Sequence, residues 1–189
     1  MMAFAEIMET GTESRLIEES VRSSLASFRQ MLGGGPLDVE PQEFIHTSTR
    51  AHACLRQLRR NGVEVVLTLS GGLSGTFALV LSDVAARQLV TALVGKVPRA
   101  AILNDMERSA LKELGNVVAS AFLGALERLC GSGGVPGLPL LRLEDSDDEN
   151  SEERTGLVLY GLPVNLVGSQ KGCRIANAGI FIALNTNSV

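Results

Sequence analysis

The chain has 189 residues, 45% apolar and 20% charged, which is the composition of one globular domain with enough apolar material for a core. A net charge of −4 without a basic cluster argues against nucleic acid as a partner, and the single Tyr without any Trp argues against base stacking. There is no uninterrupted apolar run of 18 residues, no secretory leader and no CxxC pair of cysteines, so we expect a cytoplasmic protein with reduced thiols and no membrane insertion.

The first half of the chain predicts two helices, a short strand and a hairpin. Apolar residues recur at three- and four-residue steps where a helix is expected, and β-branched, apolar runs flank SGGLS where a hairpin is expected. In chain order these elements are a helix over 13–33 ended by Gly33 to Gly35, an extended piece over 36–40, a helix over 50–60 in the less clear segment 42–60, and strands over 63–69 and 75–81.

The second half begins with a helix that Asp83 is expected to cap and Gly95 to close. A longer helix follows over 105–129, for which Asn104 is the expected N-cap and Glu107 its capping-box partner. The remaining expected elements are a loop over 131–137, a short strand over 138–143 that contains Pro139, an acidic segment over 144–153, and paired strands over 156–167 and 173–184.

The helix over 105–129 carries a polar stripe, which we define as Ser109, Glu113, Asn116, Ser120, Gly124 and Glu127. Its opposite face is apolar, as helical periodicity requires for a helix on a core, and we expect Met106 and Phe122 in that core. A solvated helix face is usually rich in long charged side chains. The small residues around Glu113 and Asn116 therefore suggest a surface that a partner approaches closely.

Other polar or reactive residues have less specific interpretations. His46 and His52 lie on an uncertain segment, where a surface position or a partner contact is favoured over a metal site. We expect Cys130 and Cys173 to pack as small apolar groups. Seven of the ten residues over 144–153 are acidic, which predicts a mobile loop. A calcium loop is the functional alternative, but the spacing lacks the central Gly and terminal Glu of an EF-hand, so no metal site is predicted.

The order of elements repeats in the two halves of the chain. PLDVE corresponds to PLLRLE, and SGTFALVL corresponds to NAGIFIALN, which points to half-repeats over about 12–98 and 99–185 within a single domain over 1–189. Because each half offers one hairpin and one short strand, neither closes a core alone. We therefore predict an α+β, internally duplicated fold: a largely antiparallel six-stranded sheet under two long helices related by a pseudo-twofold axis.

Four residues around the second long helix match a known motif. Ser109, Glu113, Asn116 and Pro139 resemble the pattern of the CheC, CheX and FliY family of response-regulator phosphatases: Asp or Ser, three residues, Glu, two residues, Asn, twenty-two residues, Pro. The segments ERSALKELGNVVASAFLGAL, GGLSGTFALVL and AGIFIAL also look like this family. The resemblance extends over about 14–184 and implies a CheC-like fold.

The first long helix carries a degenerate copy of the same motif. Ser14 and Glu18 match Ser109 and Glu113, but Val21 stands where the amide is expected, and Phe44 stands where the proline would fall. Since a valine neither donates to nor accepts from water, only the second helix keeps the full set. The change Val21→Asn tests whether the first helix could regain activity.

The resemblance implies a phosphatase that hydrolyses the aspartyl phosphate of a CheY-like receiver domain in chemotaxis or motility signalling. The chain would need no cofactor of its own, because the receiver supplies Mg2+ and a lysine near the phosphoryl group. Asn116 would orient the attacking water and Glu113 would pair with the receiver lysine. Ser109 would support the glutamate or the helix start, since no His lies nearby in sequence to activate it, and Pro139 would fix the entry of a strand.

The main alternative is a receiver-binding adaptor or a flagellar-switch-type scaffold of the same fold without catalysis. An intact Asn116 favours the enzyme. A third possibility is that the chain works only as a homodimer or with a CheD-like deamidase.

Overall fold

In the computed structural model, the described residues are 13–60, 62–98, 100, 102–131, 133–143, 157–168 and 173–185. They contain four helices and seven strands. The helices are α1 (Glu13–Met31), α2 (Ser48–Arg59), α3 (Asp83–Val94) and α4 (Asp105–Cys130). The strands are β1 (Leu37–Pro41), β2 (Gly62–Gly71), β3 (Gly75–Ser82), β4 (Gly134–Pro136), β5 (Leu140–Leu143), β6 (Leu157–Gly168) and β7 (Arg174–Asn185).

The long helices form where apolar periodicity predicts them, and local caps fix their ends. Asn104 Oδ1 accepts a hydrogen bond from the Glu107 N–H (3.1 Å), and Glu107 Oε2 accepts one from the Asn104 N–H (2.8 Å), so the expected capping box is present. Gly131 ends α4 in the left-handed region (φ 72°). These caps set the boundaries of the helix that carries the polar stripe.

All described strands belong to one antiparallel sheet with the order β1-β6-β7-β3-β2, and β4 and β5 follow one another along the outer edge of β2. The expected hairpins are β2–β3 and β6–β7. Each short strand that follows a long helix pairs with the hairpin of the other half: β1 with β6, and β5 with β2. The mixed α+β class and the antiparallel sheet are confirmed, whereas the internal duplication stays a prediction.

The sheet has seven strands in the described residues, so the expected number of six is wrong. The expected loop over 131–137 contains β4, and the expected strand over 138–143 begins only at Leu140, after Pro139. The Gly137 N–H donates to Thr68 O (2.7 Å), which turns the chain between the two strands. Because proline has no N–H to pair with β2, Pro139 stays in that turn and the edge is split.

The N-cap of α3 is Ser82 and not Asp83. Ser82 Oγ accepts a hydrogen bond from the Ala85 N–H (3.2 Å). Asp83 occupies the first helical position instead, where its carboxylate pairs with Arg87 Nε at 3.0 Å. Gly95 closes the helix as expected, with a φ of 75°.

The two faces of the sheet pack against different helices. Alternating residues of β2, such as Val65 and Leu67, contribute to the larger core cluster together with residues of α1, α3 and α4. The opposite face contributes Ala78, Val80 and Phe181 to a smaller cluster with α2. The helices α1 and α4 also pack against each other, so α4 is held by the sheet below it and by a helix beside it.

The burial of four residues can be compared with the sequence expectation, which is correct for two of them and wrong for the other two. Phe122 and Cys130 are buried as expected, but Met106 is 68% exposed and Cys173 is exposed, so these two expectations are wrong. The acidic segment over 144–153, including the alternative of a calcium loop, lies outside the described residues. Among the described residues, no helix has both the length and the apolar character that a bilayer-spanning segment needs.

Candidate functional site

The position of α4 on the sheet is set by a glycine between Glu113 and Asn116. Gly115 is buried, and a Cβ built on it would lie 2.5 Å from Val65 Cγ1 and 3.1 Å from Val65 Cβ. The helix backbone therefore rests directly on β2 at this point. Any larger residue would have to displace either the Val65 side chain or α4.

Glu113 and Asn116 lie on the side of α4 that faces away from this contact. Three residues apart on a helix, the two side chains share one face. Glu113 is exposed and Asn116 is half-buried. Within the described part of the chain, neither side chain has a hydrogen bond or an ion pair. A carboxylate and an amide with free hydrogen-bonding groups thus stand side by side on a rigid helix.

The remaining residues of the polar stripe keep this surface shallow. Ser109, Ser120 and Glu127 are exposed and Gly124 is half-buried. Among the described residues, Ser109 makes no hydrogen bond to Glu113. The start of the helix is capped by Asn104 and not by Ser109. No contact of Ser109 therefore supports either of its two expected roles. The small side chains at 109, 120 and 124 leave room for a partner surface.

Sheet register brings Pro139 close to the level of these residues. Leu141 pairs with Val65, so Pro139, two residues earlier, lies at the sheet edge opposite the neighbourhood of Leu67. A Cβ on Gly115 would also come within 3.8 Å of Leu67 Cδ1. Pro139, which follows Asn116 by 23 positions in the sequence, thus lies at the edge of β2, the strand on which Gly115 packs.

The corresponding residues of α1 are in a different environment. Val21 is completely buried in the larger core cluster, and Ser14 is half-buried. Glu18 Oε1 accepts a hydrogen bond from Arg22 Nε (2.8 Å), and Glu18 Oε2 lies 3.6 Å from His46 Nε2. The first helix therefore has neither a free carboxylate nor a surface position for an amide.

Aromatic packing closes the surface around the first motif. Phe44, which stands where the motif has proline, is only 2% exposed. Its ring is stacked on Tyr160 at 6.1 Å and meets the edge of His46 at 4.9 Å. His46 takes part in this packing, but its side chain is still 52% exposed, so the expected surface position is confirmed.

The described residues contain no group of three or more His, Cys, Asp or Glu side chains that could hold a metal ion. The pair of Glu113 and Asn116 supplies polar groups: an amide that donates and accepts, and a carboxylate that accepts or pairs with a cation. Such a pair can hold a water molecule and a positive charge next to each other. It has no nucleophile of its own.

Sequence reasoning missed two features of this region. One is Gly115, although a glycine inside a strongly helical pattern is a signal of close packing. The other is the exposure of Met106, which lies two turns before Glu113 on the same helix face and was expected in the core. Its position in the helical projection, next to the polar stripe, could have identified it.

Solved structures with the same fold include CheX, CheC-like, FliY and FliM proteins. A chain of the CheX–CheY–BeF3–Mg2+ complex from Borrelia burgdorferi is 16% identical with a TM-score of 0.60, and the match covers 89% of this chain and 97% of that chain. FliY from Thermotoga maritima is 13% identical with a TM-score of 0.63, covering 98% and 91%. The FliM middle domain from H. pylori is 9% identical with a TM-score of 0.63, covering 94% of each.

No protein-family model matches the sequence, and no curated protein matches it. The likeness is therefore carried by the backbone, at identities that establish the fold alone. The chain has the fold of the CheC, CheX and FliY proteins.

Proposed function

We propose that this chain is a phosphatase that hydrolyses the aspartyl phosphate of a CheY-like receiver domain, with Glu113 and Asn116 as its catalytic residues. The observation that carries the proposal is the difference between the two helices. Asn116 is accessible and unpartnered among the described residues on α4, while Val21 at the matching position of α1 is fully buried. The shared fold with a chain from a CheX–CheY complex supports the choice of partner.

The reaction needs an oriented water more than it needs a base. The water oxygen attacks phosphorus while the bond to the aspartyl oxygen breaks, which gives inorganic phosphate and the free carboxylate. The side-chain carbonyl of Asn116 accepts one hydrogen bond from the water. The amide itself neither gains nor loses a proton in the reaction. Holding the water in line removes orientational freedom that the receiver alone must overcome.

Glu113 acts on the receiver and not on the water. Its exposed carboxylate pairs with the receiver lysine beside the phosphoryl group, which fixes the position of α4 in the phosphorylation site. The Mg2+ ion belongs to the receiver and neutralises charge on the phosphoryl oxygens. Ser109 and Pro139 have no role in these steps beyond shaping the surface.

The decisive experiment compares wild type, Asn116→Ala and Glu113→Ala on a cognate receiver. The receiver is charged with a small phosphodonor, and loss of the acyl phosphate is followed after the donor is removed. We expect Asn116→Ala to lower the turnover rate roughly 100-fold while binding of the beryllofluoride-activated receiver persists. Glu113→Ala should weaken both binding and turnover.

Glu127→Ala is the matched control, because Glu127 is another exposed carboxylate of the polar stripe, more than three turns from Glu113. It should leave turnover unchanged. If wild type and Asn116→Ala dephosphorylate the receiver at the same rate while both bind it, the catalytic proposal is wrong.

The second candidate is a receiver-binding adaptor or a flagellar-switch-type scaffold. The likeness to FliY and to the FliM middle domain favours it, because the backbone is as close to these proteins as to CheX. Equal decay with bound receiver would select this candidate. A third possibility is that the chain is active only as a homodimer or together with a CheD-like deamidase. The same assay is therefore repeated with a CheD-like deamidase and at protein concentrations that favour a homodimer.

A further inference from the structure

Two large apolar side chains stand exposed at the N-terminal end of the polar stripe. Ile102 is 67% exposed and Met106 is 68% exposed. Met106 lies on α4 two turns before Glu113 and on the same face, and Ile102 precedes the helix. We call these two residues the apolar pair.

The backbone under the apolar pair is anchored on both sides. Leu103, between the two residues, is only 5% exposed and belongs to the larger core cluster. Its carbonyl oxygen accepts a hydrogen bond from Arg108 Nε (2.8 Å), and the capping box of Asn104 and Glu107 fixes the next turn. The exposure of the pair is therefore imposed by packed neighbours and is not that of a frayed end.

The approach to the apolar pair from α3 is also held in place. Arg87 Nη1 donates to Ala100 O (2.9 Å), while Arg87 Nε pairs with Asp83 (3.0 Å). Ala100 is thus tied back to α3 through Arg87 and Asp83. A rigid, exposed apolar surface loses little conformational freedom when a partner covers it.

We infer that the apolar pair is the apolar part of the receiver-docking surface, an inference that rests on the proposed phosphatase function. The polar stripe sets the register through Glu113 and Asn116, but its neighbours Ser109 and Ser120 offer little apolar area. Met106 continues that stripe about one turn before Ser109, Ile102 is exposed just before the helix, and the two side chains supply such area. An unbranched, polarisable Met adapts to a partner surface better than a branched residue would.

This division of roles makes a kinetic prediction. The apolar pair binds the receiver equally in the ground state and in the transition state, so its loss should raise KM and leave kcat unchanged. The motif amide acts only on the water, so Asn116→Ala should show the opposite pattern. A purely structural role of the pair would produce neither pattern without loss of thermal stability.

The experiment measures kcat, KM and binding of the beryllofluoride-activated receiver for Ile102→Ser, Met106→Ser and the double variant. Leu140→Ser is the matched control, because Leu140 is 58% exposed and alternates with Leu141, which packs against the core on the helix side of the sheet. We expect the double variant to raise KM and Kd about tenfold, with kcat within about twofold and the melting temperature unchanged. Leu140→Ser should change none of these values.

An unchanged KM in the double variant, with wild type active, overturns the inference and leaves the proposed function intact. A wild-type chain that neither binds nor dephosphorylates the receiver overturns the proposed function, and the inference with it. The mass of each variant in solution, measured without receiver, tests whether the apolar pair contacts a second copy of the chain instead of the receiver. If the substitutions convert a dimer into a monomer, the pair faces a second copy of the chain and the receiver assignment is wrong.

Discussion

At position 21, α1 has a completely buried valine, whereas Asn116 at the matching position of α4 is half-buried and reaches the surface. The amide in α1 is therefore not simply missing from an otherwise complete site. Glu18, the partner carboxylate, is paired with Arg22 and lies 3.6 Å from His46. The first motif has become part of the structural core and its rim.

The change Val21→Asn should consequently destabilise the fold without creating activity. A buried amide without partners costs about 1–3 kcal/mol, because the core around position 21 offers no water. Denaturant unfolding measures this loss. The phosphatase assay of Val21→Asn combined with Asn116→Ala should remain at the rate of Asn116→Ala alone.

The reciprocal change, Asn116→Val, is the matched control. It should remove phosphatase activity and alter the unfolding free energy by less than about 1 kcal/mol, since position 116 is partly solvated. Activity regained through the Val21→Asn change would show that α1 still carries an accessible site. The same conclusion would follow if Asn116→Val lowered the free energy of unfolding more than Val21→Asn does.

The candidate site residues and their place on an open helix face could be predicted from the sequence, but the depth to which each residue is buried could not. Spacing alone identified Glu113 and Asn116 on one helix face and identified Val21 as the defective position. Burial depends on how α1 and α4 pack on the sheet, which no local pattern contains. The same limit explains why Met106, an apolar residue near an amphipathic helix start, was expected in the core and is exposed.

At the scale of one element, α4 carries the candidate catalytic residues on one face, and on another face its backbone packs unusually closely against the sheet. Gly115 places the helix backbone against Val65, whose β-branched side chain has little freedom to rotate away. Helix propensity by itself would favour alanine over glycine here by about 1 kcal/mol. The contact with β2 opposes that preference.

We expect Gly115→Ala to lower the free energy of unfolding by about 1–3 kcal/mol, because the added Cβ must displace either Val65 or the helix. Turnover should fall as well, since Glu113 and Asn116 move with the backbone. Adding Val65→Ala should restore part of the lost activity by making room for the methyl group. Urea unfolding and the dephosphorylation rate measure the two effects.

Gly124→Ala provides the control on the same helix. A Cβ at position 124 would meet only Arg128 Nη1, at 3.6 Å, so helix propensity decides and stability should stay equal or rise. If Gly115→Ala and Gly124→Ala change the free energy of unfolding equally, the close packing of α4 on β2 does not contribute to stability.

Element boundaries followed the sequence where local chemistry sets them. The capping box at Asn104 and Glu107 and the hairpin β2–β3 both depend on neighbouring residues, and both were predicted. The strand β4 was not, because three residues become a strand only by pairing with β2 more than 60 positions earlier. The N-cap of α3 was predicted at Asp83 and lies at Ser82, because the two residues are adjacent and both types favour this position.

At the scale of the whole molecule, the strand order ties the two halves of the chain together. The hairpin β6–β7 lies between β1 and β3, so the sheet cannot form from either half alone. The start of α1 also lies near β6. There Tyr160 of β6 meets Glu13, the first described residue of α1.

The contact of Glu13 with Tyr160 should make stability depend on pH. Burial raises the pKa of Glu13 above its usual 4.5, and the hydrogen bond from the Tyr160 hydroxyl opposes this more weakly. One oxygen, Oε1, is buried without a hydrogen-bond partner among the described residues. Because the folded chain holds this proton more tightly than the unfolded chain, the free energy of unfolding should fall as pH rises above about 4.5.

The change Glu13→Gln removes this titration while keeping the shape of the side chain. We expect the stability of Glu13→Gln relative to wild type to improve as pH rises from 4.5 toward 8, since only the wild type must then hold a buried charge or bind a proton. Thermal unfolding at several pH values measures the difference. A difference between Glu13→Gln and wild type that stays constant over this pH range would rule out a buried, titrating Glu13.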